Sequence, residues 1–135
     1  LRAGRYFEKN EHNLGINLYL GAATDAPSIN SEFHIGGYGL LTGLSTQVRR
    51  GAAMGVVSAI YYQRYTALPA LDALIGVTME YGGAWDNTED VSAVGALGSL
   101  GAFIGADTPL GTLQIGFAIA EGGHQNYYTR LGRVF

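Results

Sequence analysis

The chain contains no cysteine, only three prolines and few charged residues. Charged side chains make up 14% of its 135 residues, against roughly a quarter in soluble domains. The lack of cysteine fits a protein that crosses an oxidising periplasm, although it also fits many cytosolic proteins. The net charge of −3 comes with no basic patch, so nucleic acid is not expected as a partner. No apolar run approaches the ~18 residues that a transmembrane helix needs.

The chain is rich in glycine and tyrosine, and much of its sequence has a period of two. There are 21 Gly and 9 Tyr, and several long segments alternate apolar with small or polar residues. Together with the low charge, this pattern favours a transmembrane β-barrel. A small soluble ligand-binding barrel of lipocalin type is the alternative, although such barrels usually carry more surface Lys and Glu. The chain begins without Met or a signal peptide, and we interpret it as a mature or truncated segment of one domain, residues 1–135.

Period-two alternation predicts six full strands and the remnant of another, in plain antiparallel order. The predicted segments are 1–7 (the remnant), 14–22, 52–65, 71–81, 91–106, about 113–120 and 125–135. Their lengths suit tilted strands that cross a bilayer. The connections at 8–13, 66–70 and 107–111 are short, and the others are longer or more polar, as in outer-membrane barrels with short periplasmic turns. So few strands cannot close a large barrel, so we expect further strands, or another copy of the chain, to complete it.

Each strand is predicted to present an aliphatic face to lipid and a small or polar face to the lumen. Glu80 and Asp72 fall on the lumenal face, where Arg64, Arg49 or Arg50 could pair with them; simple solvation of Glu80 in a wet lumen is the alternative. Six aromatic residues could belong to interfacial belts, although core-filling aromatics of a soluble barrel would look alike: Tyr61, Tyr62, Tyr81, Trp85, Tyr127 and Tyr128.

The stretch 33–51, FHIGGYGLLTGLSTQVRRG, is too long and too rich in glycine for a hairpin turn. We call it the central loop, and it forms most of a long connection, 23–51. Paired glycines among apolar residues suit a segment folded into a confined space, although an ordinary surface loop is the alternative. We expect residues 33–43 to enter the lumen. Gly36 and Gly37 should then lie near the inner wall of the barrel. The predicted room comes from three inward glycines: Gly76, Gly101 and Gly116.

No catalytic constellation is recognisable in the sequence. Ser45 and Ser99 do not stand in a GxSxG motif. The three histidines lack metal-ligand spacing, and no phosphate loop or dinucleotide fingerprint occurs. We therefore expect no catalytic residue, cofactor or metal in this segment.

The sequence FHIGGYGLLTGL, together with a C-terminal strand that ends in Phe135, resembles the bacterial surface antigen superfamily. These are the sixteen-stranded outer-membrane barrels of assembly factors and two-partner secretion transporters. The resemblance implies a loop inserted in the lumen, with a motif formed by Phe33, Gly36, Gly37, Thr42 and Gly43. Thr42 stands where those proteins carry an Arg that fastens the loop, which implies that Thr42 donates a hydrogen bond to Glu80 or Asp72 in place of that charged contact. The resemblance also implies an assembly signal read by the outer-membrane assembly machinery, at Tyr127, Thr129, Leu131 and Phe135.

Further phrases are similar to one branch, the patatin-like phospholipase autotransporters. They are YYxR at 61–64, GADTPLG at 105–111, an AEGG-like loop at 120–123 and LGRVF at 131–135. The resemblance implies a segment of the bacterial outer membrane that anchors, or helps export, an N-terminal patatin-like lipase domain absent from this chain. The barrel of a general outer-membrane assembly or secretion factor is the alternative function.

Overall fold

The structure, a computed structural model, describes residues 1–23, 33–45, 49–68, 71–92 and 94–132. The described residues form β-strands, turns and one short 3-10 turn (Thr88–Asp90), with no α-helix. The strands are β1 (Arg2–Lys9), β2 (His12–Ala22), β3 (Phe33–Ile35), β4 (Arg49–Gly51), β5 (Ala53–Leu68), β6 (Leu71–Trp85), β7 (Leu97–Thr108), β8 (Gly111–Ala120) and β9 (His124–Gly132).

Seven of these strands form one antiparallel sheet in the order β1-β2-β5-β6-β7-β8-β9, and β3 pairs with β4 in a separate two-stranded sheet. The prediction of an all-β chain in plain antiparallel order, with a shorter first strand, is therefore confirmed. The sheet is not closed into a barrel, because β1 and β9 each pair with a single neighbour among the described residues.

Several predicted boundaries are wrong, and one small sheet was missed. β5 runs to Leu68 and β6 to Trp85, beyond the predicted ends at 65 and 81. The fourth long strand of the prediction begins at Leu97 instead of Val91, because the chain turns at Gly95, which has φ +85°. The polar segment 8–13 contributes mostly to β1 and β2, and only Asn10 and Glu11 form the turn between them. The small sheet of β3 and β4 was not predicted, since strands of three residues are too short to show alternation.

The two faces of the large sheet carry opposite chemistry, as the alternation predicts. One face, the aliphatic face, exposes large apolar side chains such as Met79 (61% exposed), Ile104 (60%) and Ile115 (55%). The other, which we call the loop face because the central loop packs on it, buries polar side chains: Asn13, Asn17, Ser58, Thr78, Glu80, Ser99, Thr112 and Gln114. On β5, where the pattern is weak, Val57 and Tyr61 belong to the aliphatic face.

Two apolar clusters lie on the loop face. The loop-side cluster joins the central loop to the wall and contains Ile35, Leu41, Leu44, Val56 and Ala120. The turn-side cluster lies towards the short turns and contains Ile60, Tyr62, Leu74 and Phe103, with Tyr38 and Tyr128 packed against it. The assignment of Tyr62 and Tyr128 to interfacial belts is therefore wrong, because both side chains lie on the loop face.

Candidate functional site

The central loop folds back on itself through its glycines. Gly36, Gly37 and Gly39 all have positive φ, a region open to glycine and costly for other residues. The amide of Gly36 donates to the carbonyl of Leu40 (2.8 Å), and the amide of Gly37 donates to that of Leu44 (3.0 Å). The paired glycines thus shape the loop's own turn. Leu41 also adopts a positive φ, +69°, which is rare for a bulky residue.

Apolar side chains anchor this turn to the sheet. Ile35, Leu41 and Leu44 are fully buried and pack on Val56 of β5 and Ala120 of β8. Burial of such side chains contributes about 1.5–3 kcal/mol each relative to exposure. Phe33 contributes as well, since its ring lies where a side chain on Gly21 of β2 would be. These contacts hold the described part of the loop against the loop face.

Hydrogen bonds fasten the tip of the central loop, Thr42 and Gly43, to the large sheet. The backbone amide of Thr42 donates to Glu80 Oε2, and Thr42 Oγ1 donates to Glu80 Oε1 (2.7 Å). The amide of Gly43 donates to Ser99 Oγ (2.9 Å), and Asn126 Nδ2 donates to the carbonyl of Thr42 (2.9 Å). The expected hydrogen bond from Thr42 is present, and Glu80, not Asp72, accepts it. We call Thr42, Gly43, Glu80, Ser99 and Asn126 the loop lock.

The sequence indicated two of these wall residues only indirectly. Ser99 lies directly opposite Glu80 in the register of β6 and β7, and Asn126 lies on the loop face of β9. Alternation gives the face of both residues. It does not show that they reach the same point of the loop, because that depends on strand register.

The carboxylate of Glu80 is only 2% exposed, and the partners described above are neutral groups. The predicted partner Arg64 instead forms an ion pair with Asp107 (2.8 Å). Arg49 donates to the carbonyl of Gly95 (2.8 Å). Asp72 is exposed at the start of β6. The prediction that Arg64 neutralises a carboxylate of the sheet wall is thus wrong for Glu80. The lock holds a buried carboxylate with neutral donors, which is an arrangement stabilised by several hydrogen bonds at once.

The central loop approaches the backbone of the sheet very closely at Gly43. A Cβ on Gly43 would lie 2.6 Å from the amide nitrogen of Ala120 and 2.7 Å from the carbonyl oxygen of Ile119. Both are backbone atoms of β8 and cannot easily move. Only glycine therefore fits at this position, whereas Gly36 and Gly37 are required for their backbone conformation.

The three glycines expected to leave room for the loop are filled by neighbouring side chains of the sheet. The ring of Phe103 lies over Gly76, Thr78 Oγ1 lies beside Gly101, and the ring of Tyr128 lies over Gly116. The prediction that the loop occupies these places is wrong. Side chains of the sheet fill these places, and most of the central loop packs nearer the opposite ends of the strands.

A cavity of about 290 Å³, lined by both polar and apolar residues, lies between part of the central loop and the sheet. It is bordered by the loop at Tyr38, by β1 at Arg2, by β6 at Thr78 and Glu80, and by β9 at Arg130. The Arg130 guanidinium lies 4.4 Å from the centre of the Tyr38 ring, and Tyr38 meets Tyr128 edge-on at 5.3 Å. Burial raises the pKa of the Tyr38 hydroxyl above its ordinary value, against the lowering influence of Arg130, so this phenol is neutral at physiological pH.

Tyr127, Thr129 and Leu131 of the proposed assembly signal share the aliphatic face of β9. Tyr127 is 77% exposed and Leu131 56% exposed, and the Tyr127 ring packs on Phe117 of β8 at 4.7 Å. Phe135 lies outside the described residues.

Within the part of the chain that the structure describes, no three His, Asp or Glu side chains are grouped so that they could hold a metal ion. None of the described residues forms a helix long and apolar enough to cross a membrane. A scan against protein-family models finds no family that matches the chain, and comparisons with curated proteins and with solved structures find no match.

Proposed function

We propose that this chain is the C-terminal part of an outer-membrane β-barrel, with lipid on its aliphatic face and the central loop inside the lumen. The observation that supports this most is the inverted polarity of the sheet. Large apolar side chains are exposed, whereas Glu80, Thr78, Gln114 and other polar residues are buried on the loop face. A soluble ligand-binding barrel has the opposite arrangement, with apolar residues inside and polar ones in water. The soluble alternative is therefore disfavoured.

Strand lengths support the same proposal. β5 has 16 residues and β6 has 15, and a tilted strand needs about 9–11 residues to cross the bilayer core. Unpaired strand edges are not tolerated in lipid. We therefore expect β1 and β9 to pair with strands from the rest of a longer protein or from another copy of the chain, after delivery by the outer-membrane assembly machinery.

The role of the barrel rests on the resemblance to patatin-like phospholipase autotransporters. We propose that it anchors, or helps export, an N-terminal lipase domain. The loop lock supports this branch over a general assembly or secretion factor, because Thr42 itself contacts Glu80. The chain thus fastens its loop without the arginine that is typical of the other branch. No catalytic role is proposed for residues 1–135.

A matched pair of substitutions in the complete gene product tests the lipid-facing assignment. Ile75→Arg places a charge on the aliphatic face and is expected to cost about 2–4 kcal/mol near mid-membrane. Thr78→Arg lies on the loop face of the same strand and should cost less, because the long side chain can extend into the cavity that Thr78 borders instead of into lipid. Folding is measured by heat-modifiable mobility in gels after extraction from outer membranes. Equal losses for the two variants, or recovery of the wild type in buffer without detergent, would contradict the proposal.

The lipase assignment needs a separate test. The complete protein, purified in detergent, should release fatty acid from phospholipid, and replacement of the serine in the GxSxG motif expected in its N-terminal domain should abolish the release. Absence of that motif and of lipase activity would favour the assembly or secretion factor instead.

A further inference from the structure

Several polar groups that border the cavity have no hydrogen-bond partner. Tyr38 Oη, Thr78 Oγ1 and Arg130 Nη1 are buried, and none of them makes a well-formed hydrogen bond to another described residue, although the Arg130 guanidinium is near enough to the Tyr38 hydroxyl to lower its pKa. They come from the central loop, from β6 and from β9, three elements that are distant in sequence. All three residues line the same cavity. Thr78 is only 5% exposed, so bulk water does not readily solvate its hydroxyl.

Such a concentration of unpaired groups is unusual. A buried donor without an acceptor costs about 1–3 kcal/mol, and folded proteins contain few of them. A shared acceptor in the cavity would satisfy several of these groups at once. The unpaired groups therefore indicate a ligand that is rich in hydrogen-bond acceptors.

The charges around the cavity indicate the sign of that ligand. Arg2 and Arg130 both border it. Within the described residues each guanidinium lies over a tyrosine ring, Tyr19 and Tyr38 respectively, and neither forms an ion pair. Glu80 also borders the cavity, but both of its carboxylate oxygens accept hydrogen bonds from Thr42. Two cations thus outnumber one carboxylate that is already engaged.

We propose that this cavity binds a phosphate-bearing group. Guanidinium groups match phosphate oxygens geometrically, and hydroxyl groups can donate to the same oxygens. Phosphate offers oxygens in several directions, which suits donors that approach from opposite edge strands better than a planar carboxylate does. A volume of about 290 Å³ is at the lower end of small-molecule sites, so it suits free phosphate or a single lipid headgroup instead of a whole lipid. The site uses only residues of this chain and does not depend on the proposed lipase role.

The test measures phosphate binding by the complete protein in detergent, by calorimetry at constant ionic strength. Inorganic phosphate and glycerol 3-phosphate are titrated separately. Tighter binding of inorganic phosphate identifies free phosphate as the ligand, and tighter binding of glycerol 3-phosphate identifies a lipid headgroup. Arg130→Gln should weaken binding at least about tenfold, because hydrogen bonds between charged groups are the strong ones. Tyr38→Phe keeps the ring under Arg130 and should weaken binding by a smaller factor through loss of the hydroxyl.

Arg5→Gln is the matched control. It removes the same charge from β1, but Arg5 pairs with Ile16 and lies on the aliphatic side of that strand, so binding should be unchanged. If Arg130→Gln fails to fold, the phosphate dissociation constant of Tyr38→Phe, compared with that of the wild type, decides the test. Absence of saturable binding by the wild type, or equal weakening by Arg5→Gln and by the cavity variants, would overturn the proposal.

Discussion

The two apolar clusters on the loop face fill the same side of one sheet by different means. In the turn-side cluster the wall fills itself, because the rings of Phe103 and Tyr128 lie over Gly76 and Gly116 of neighbouring strands. In the loop-side cluster the sheet is covered by side chains of the central loop, Ile35, Leu41 and Leu44. The first arrangement is built from side chains of the sheet, with Tyr38 of the central loop packed against them, whereas the second cannot exist without the loop. The stability of the sheet and the docking of the loop should therefore be separable by mutation.

The largest expected effect is from Phe103→Ala in the turn-side cluster. Phe103 is 3% exposed, and removal of its ring should lower the free energy of unfolding by about 3–5 kcal/mol. Denaturant titration of the folded protein measures the loss. The loop should remain docked, so an introduced Thr42→Cys thiol should stay protected from an impermeant reagent. Exposure of that thiol in the Phe103→Ala background would mean that the two clusters are coupled.

Leu41→Ala should give the opposite result. Its side chain is fully buried in the loop-side cluster, and truncation of a buried leucine costs about 2–5 kcal/mol. The loss should fall on loop docking, so the Thr42→Cys thiol becomes reactive while the unfolding midpoint of the sheet changes little. Ser45→Cys, which is exposed in the wild type, provides the fully reactive reference. A large shift of the midpoint with an unreactive thiol would contradict the comparison.

Glu80→Gln sharpens the comparison, because it alters the loop lock without touching either cluster. The carboxylate accepts from both the amide and the hydroxyl of Thr42, whereas a glutamine amide has one oxygen to offer. Hydrogen bonds to charged groups contribute about 1.5–3 kcal/mol, and loop protection should fall accordingly. Proteolysis within the loop measures the change. Ser99→Ala removes the acceptor for the Gly43 amide and a hydroxyl beside Glu80 but keeps the carboxylate that Thr42 contacts, so it is the control and should have the weaker effect.

The smallest effect is expected from Thr42→Val. It keeps the size of the side chain and the backbone amide that donates to Glu80. It removes the hydroxyl, which donates to Glu80 Oε1 and accepts from the amide of Gly39 (3.1 Å), for a loss of about 1.5 kcal/mol, the low end for a hydrogen bond to a charged group. Thiol exchange at Ile35→Cys would report the loosening. Thr42→Ser should behave as the wild type, and a loss as large as that of Glu80→Gln would mean that the hydroxyl, not the amide, carries the lock.

Alternation predicted the fold well because it depends only on local chemistry. Every second residue of β6, from Ile75 to Tyr81, is exposed on the aliphatic face as its pattern indicates. The partner of Arg64 could not be predicted in this way. Arg64 lies three same-face positions from Ser58, which pairs with Glu80, and that spacing is about 20 Å along a strand. Register, which alternation does not give, places Arg64 beside Asp107 instead.

Features of the site that depend on one residue and its sequence neighbours could be predicted. Features that depend on contacts between several strands could not. A paired glycine among apolar residues indicated a folded-back loop, and Thr42 indicated a contact with a carboxylate. The role of Gly43 depends on the backbone of β8, and the filling of Gly76 and Gly116 depends on cross-strand neighbours. The residues that contact these three glycines are not adjacent to them in the sequence.

The contacts of Thr42 and Gly43 have a consequence for the order of events in folding. They join residues 38, 56 and 84 positions apart in the chain, on β6, β7 and β9. Contacts between such distant residues form late, since the intervening chain must be ordered first. The acceptors on β6 and β7 and the donor on β9 face one point only after those strands have paired. We therefore expect the loop to close after these strands have paired, so that protection of its tip reports the pairing of β6 to β9.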